Sequence, residues 1–124
     1  MEQEKLIFVV PEQSKDRGDE LMELTLRYKR KEICRNELPR ILRKEYSRVK
    51  NNNLRARKNG SAGTLTLRQW LYTLMLHNFC CKFCGTSEDI TMEHITPLSM
   101  GGETSERNCV PACMKCNLAL ERHH

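Results

Sequence analysis

The sequence predicts an α+β fold: basic helices come first, followed by a small strand–loop–strand–helix unit tied at its ends by cysteine pairs. Three observations predict it. Apolar residues recur at helical spacing through the front of the chain. Two Cys-x-x-Cys pairs, Cys81/Cys84 and Cys113/Cys116, are separated by 28 residues. Between them lie two short strand-like segments, 90–94 and 108–112, divided by the breakers Pro97 and Gly101-Gly102.

Length and charge set the frame. A chain of 124 residues suits one compact domain with appendages. A core drawn from less than half of it buries too little surface to stand without a staple. The net charge of +5 divides as +3 over residues 1–50, +4 over 51–79 and −2 over 80–124. A basic front and an acidic back suit a protein that grips a polyanion with one part and holds cations with the other. An ordinary solvated surface is the other reading of those charges. No stretch approaches the roughly 18 apolar residues of a membrane span. The one apolar run near the start, residues 6–10, is short and flanked by Glu2 and Glu4, unlike a secretory signal. A cytoplasmic protein without a membrane partner is expected. Seven cysteines, an odd number, then point to metal ligation rather than a disulfide framework.

Residues 1–50 read as an N-terminal extension, mostly helical and basic. The run 6–10 is a strand or a partner-binding segment. Over residues 19–50, Leu21, Leu24 and Tyr28 form one helical stripe. Asn36 and Pro39 mark a break, and Leu38, Ile41, Leu42, Tyr46 and Val49 form a second stripe. These helices pack on the rest of the chain or on a second copy, or lie as an arm on nucleic acid. Residues 51–63, which open on three consecutive asparagines and end with three Gly or Ser positions, read as a basic flexible linker. Within it Arg55, Arg57 and Lys58 are candidates for sequence-independent phosphate contact.

Residues 64–124 form the third unit, led by a helix over 66–78. Thr66 and Gln69 match a capping box, and Leu65 with Trp70 match a hydrophobic staple. Leu67, Trp70, Leu71, Leu74 and Met75 make its apolar face, with Trp70 the expected core anchor and Asn78 the stop.

Each Cys-x-x-Cys spacing lets two thiolates address one ion. Cys81, Cys84, Cys113 and Cys116 together would close a tetrahedral structural zinc site with no open position. Cys80 competes with Cys81 for the first place, and the two-residue gap favours Cys81. Cys34 and Cys109 are left over and are expected to be buried small hydrophobes. Zinc would pin both ends of the 28-residue insert, so that its binding energy becomes folding energy.

Three runs in order carry a family resemblance: Cys-x-x-Cys-Gly, then Glu-His-Ile-x-Pro-Leu-Ser-x-Gly-Gly, then Asn-x-Val-x-x-Cys-x-x-Cys-Asn. Residues 64–122 resemble the HNH endonucleases, most closely the zinc-containing branch of phages, mobile elements and restriction systems. The resemblance implies a ββα-metal (His-Me) finger stapled by the zinc site. It implies that His94 is the general base, that Asn108 holds the catalytic loop, and that Asn117 on the final helix binds the catalytic ion. Glu93 falls where the family carries a metal-ligating Asp or His. Leu120 stands where the family usually has Lys, so Lys115 or Arg122 would supply that phosphate contact. Glu121 is a further candidate ligand, and His123 and His124 receive no role.

The chemistry agrees with these implied roles. A neutral imidazole can take a proton from water at neutral pH. Oxygen donors such as Glu93 and Asn117 suit Mg2+ or Mn2+. Neighbouring residues on a strand face opposite ways, so Glu93 and His94 can serve one centre only if the strand ends or bends there. The expected function is a metal-dependent endonuclease acting on double-stranded DNA, in a bacterial or phage-infected cell. A second copy, or a phage or host protein, is a candidate partner for residues 1–50. The alternative is a zinc-dependent DNA-binding module without catalysis.

Overall fold

The computed structural model describes residues 10–121; the run 6–9 and the positions Arg122, His123 and His124 lie outside the described residues. Helix α1 spans Glu12–Lys29 and α2 spans Arg40–Lys58. Helix α3 covers Leu67–Leu76, strands β1 and β2 are Ile90–His94 and Cys109–Cys113, and α4 is Met114–Glu121.

Helix α1 begins at Glu12, ahead of the expected start at 19, because Pro11 supplies a helix-compatible φ of −57° just outside the first turn. It ends where Lys31 turns left-handed at φ 63°. A 3-10 turn at Arg35–Glu37 fills the predicted break, and Pro39 launches α2. Cys34, expected to be buried, is exposed beside this turn, where its N–H donates to Glu37 Oε1 at 2.8 Å.

Residues 51–58 are helical, which corrects the expectation of a flexible linker over 51–63. Asparagine is a poor helix former, yet tertiary bonds override the propensity here. Asn53 is buried, and its amide brackets the backbone of Leu65. Its Nδ2 donates to the Leu65 carbonyl at 2.8 Å and its Oδ1 accepts from the Leu65 N–H at 3.1 Å. Ala56, one turn on, is fully buried. Gly63 passes so close to α2 that a Cβ there would strike the Asn53 carbonyl.

Helix α3 has the predicted start. The Gln69 N–H donates to Thr66 Oγ1 at 3.1 Å and the Thr66 N–H to Gln69 Oε1 at 2.9 Å. Trp70 is fully buried, as expected of a core anchor, and its Nε1–H donates to Glu45 Oε1 at 2.9 Å. Arg48 pairs with the same buried carboxylate at 2.9 Å, so the charge taken into the α2–α3 contact has a partner on each side.

Strands β1 and β2 pair antiparallel, with Ile90 opposite Cys113 and His94 opposite Cys109. The chain enters α4 directly from β2, giving the expected ββα order. The main core joins the front helices to the strand pair: Leu21, Leu38, Leu42, Val49, Trp70, Leu71 and Leu74 pack with Met92 of β1 and Cys109 of β2. The front helices therefore pack on the ββα unit. No described helix is long and apolar enough to cross a membrane.

Candidate active site and metal centre

The two ends of the strand pair gather most of the candidate residues. At the Ile90–Cys113 end, the Sγ atoms of Cys81, Cys84, Cys113 and Cys116 all lie within 4.8 Å of one another. Cys84 Sγ and Cys113 Sγ are 3.7 Å apart. A tetrahedral zinc with Zn–S bonds near 2.3 Å separates its sulfurs by about 3.8 Å, so the cluster fits that ion. The N–H groups of Phe83 and Cys116 point at Cys81 Sγ (3.3 Å) and Cys113 Sγ (3.4 Å), an arrangement that favours thiolate charge. Burial opposes ionisation of Cys81, but the surrounding backbone hydrogen bonds outweigh it and hold the thiol at about 6. Cys80 stays outside the cluster, with its Sγ directed at the Asn78 carbonyl, which settles the register in favour of Cys81. Cys109 is the buried small hydrophobe expected, and burial raises its thiol to about 11.

At the other end, His94 is the last residue of β1 and is 8% exposed. Burial pushes its imidazole down to about 4, with the positive charge of Arg55 adding to the effect, so the ring is neutral at neutral pH. Its Nε2 lies 2.9 Å from Thr104 Oγ1. Asn108 closes the loop that leaves the strand. Its Oδ1 accepts from the Thr96 N–H at 2.7 Å, and its Nδ2 donates to the carbonyls of Thr96 (3.0 Å) and Glu103 (2.7 Å). Its own carbonyl accepts from the Ile95 N–H at 2.9 Å. Gly102 makes this loop feasible, because any Cβ there would collide with the Thr96 carbonyl.

Strand alternation puts Thr91 and Glu93 on one face of β1, and Met92 and His94 on the other. The Thr91 face meets α4. Thr91 Oγ1 gives its single proton to the Ala112 carbonyl at 2.8 Å, so it accepts from Asn117 Nδ2 at 2.9 Å. That bond fixes the amide orientation and leaves Asn117 Oδ1 as the atom free to ligate. Glu93 is buried on the same face of β1. Among the described residues, the four cysteines are the one group of three or more His, Cys, Asp or Glu side chains close enough to hold a metal.

The basic candidates separate. Arg55 is exposed on α2 within electrostatic reach of His94, and its guanidinium donates to Asn52 Oδ1 at 3.1 Å. Arg57 donates to the Gly63 carbonyl at 2.8 Å and so braces the chain after α2. Lys58 and Lys115 are exposed. Leu120 is half-buried and Glu121, the last residue of α4, is exposed. Thr91, Thr104 and Asn52 are the participants that motif spacing did not single out.

The HNH endonuclease family model matches residues 80–123. The end of the chain is thus similar to an HNH domain over those residues. The matched segment contains every cysteine of the four-sulfur cluster together with Glu93, His94, Asn108 and Asn117. The match begins after α3, so the leading helix lies outside it. No curated protein and no solved structure matches the chain.

Proposed function

We propose that the protein is a divalent-metal-dependent endonuclease that hydrolyses phosphodiester bonds of double-stranded DNA, by nicking or by cutting both strands, with His94 as general base. The observation that carries the reading is a neutral imidazole held at the end of β1 inside an HNH domain. His94 takes the proton of the attacking water. Asn108 keeps the strand end and its loop in one conformation, so the imidazole does not have to be ordered at each turnover. Glu93 and Asn117 Oδ1 hold Mg2+ or Mn2+. That ion supplies stabilisation of charge on the phosphate and on the departing oxygen. Arg55, Lys58 and Lys115 contact phosphates, and the four-cysteine zinc plays no part in the reaction. The reaction takes place in the cytoplasm.

One observation favours the alternative of a zinc-dependent DNA-binding module without catalysis: His94 is only 8% exposed. A plasmid assay with magnesium, with manganese and with neither decides between them. Nicking that needs the ion and disappears in His94→Ala supports the nuclease. Equal cleavage by wild type and variant removes His94 from the reaction, and salt-sensitive DNA binding without any cleavage establishes the alternative.

A further inference from the structure

We propose that Thr104 is a positioning residue for His94: its hydroxyl, tied to a carbonyl of helix α2, makes Nδ1 the basic nitrogen of the imidazole. The inference deepens the nuclease reading and rests on it for its catalytic consequence. Thr104 is fully buried. Its Oγ1 lies 2.9 Å from the Asn52 carbonyl and 2.9 Å from His94 Nε2. A hydroxyl has one proton, and a carbonyl can only accept. The proton therefore goes to Asn52, and the contact with His94 requires Nε2–H to donate. A neutral imidazole carries a single N–H, so Nδ1 keeps the lone pair that can remove a proton from water.

The threonine is itself held from several directions. Its N–H donates to the Ala62 carbonyl at 2.9 Å, and its carbonyl accepts from the N–H groups of Thr64 at 2.9 Å and Leu65 at 3.2 Å. Leu65 is in turn bracketed by Asn53. The tautomer of a residue inside the HNH segment is thus set by a helix outside it. Thr91 does the same on the opposite face of β1, where it gives its proton to Ala112 and fixes the amide of Asn117. Two threonine hydroxyls, each locked by a backbone carbonyl, orient two of the side chains assigned to the reaction, His94 and Asn117.

The test uses the full-length, zinc-loaded protein with 15N-labelled histidine. Long-range proton–nitrogen spectra at neutral pH should show His94 protonated at Nε2 and bare at Nδ1. Thr104→Val should mix the tautomers and lower kcat on the order of 10–100-fold, as for other residues that orient a reacting group. KM and zinc content should stay unchanged. Thr104→Ser should restore both the spectrum and kcat. A wild-type His94 protonated at Nδ1 overturns the proposal, even if Thr104→Val does not fold. So does a folded Thr104→Val with unaltered tautomer and kcat. An Nε2–H tautomer in a wild type that cleaves nothing supports the positioning and sinks the nuclease reading.

Discussion

The two ends of the strand pair solve opposite problems. At the cysteine end the local core is thin, with Cys81, Ala112 and Cys113 as its buried members, and four sulfurs converge to staple it. At the histidine end the side chains sit against the main core, and hydrogen bonds from Thr104 and Asn108 set the geometry. Some 13 Å of strand, at about 3.3 Å per residue, separates the two. A metal staple tolerates exposed ligands such as Cys84, because ligand bonds are strong enough to survive solvent. The His94 imidazole is held differently: it is buried, and the Thr104 hydroxyl beside it is itself tied to the Asn52 carbonyl.

The largest effect should come from breaking the staple. Cys113→Ser should reduce zinc to background by atomic absorption and abolish cleavage and the cooperative melting of the ββα unit together. Structural zinc contributes on the order of 10 kcal/mol, comparable with the whole stability of a small domain. A variant that melts like wild type would show that the cluster is dispensable. Breaking the other end should separate the two properties. His94→Ala should lower cleavage by about 10²–10⁴-fold with zinc content intact.

Asn108→Ala should fall between these two in character. It removes an amide that makes three hydrogen bonds, so a loss of about 1–3 kcal/mol in urea melts should accompany a partial loss of kcat. Unchanged melting would mean that the loop is held by Gly102 and the turn alone.

The neutral imidazole makes stability depend on pH. The ordinary value of 6.5 applies to unfolded His94, and about 4 applies when it is folded. Between those values the unfolded chain binds the extra proton, so stability is fully present above pH 6.5 and declines as the pH falls toward 4. Wild type should lose more Tm over that range than His94→Gln, and parallel curves would remove His94 as the cause. The smallest effect belongs to Arg55→Ala, which should reduce the salt slope of DNA binding by about one unit while leaving zinc and Tm unchanged.

The legible features were those written locally. Alternation marked β1 at residues 90–94, where it occurs, and the capping box placed the start of α3. The two-residue gap chose Cys81 over Cys80. What escaped was written at long range. Asn51, Asn52 and Asn53 look like a helix end because their side chains compete with the backbone for hydrogen bonds. The distant partners here are Leu65, bracketed by the Asn53 amide, and Thr104, whose hydroxyl donates to the Asn52 carbonyl. Thr104 reads as an ordinary loop residue after Gly-Gly-Glu, and only folding brings α2 against it. Thr91 was more accessible: it lies two places before Glu93 and so shares its face.

The joint where Gly63 slips past Asn53 and pairs with Thr104 has a practical meaning for anyone who would transplant the ββα unit. A graft cut at the edge of the family match would leave behind the carbonyl that orients Thr104, the amide that braces Leu65 and the helices that cover Met92. The smallest portable cassette therefore begins with α1, and fusions made inside residues 51–63 would sever the scaffold rather than a tether.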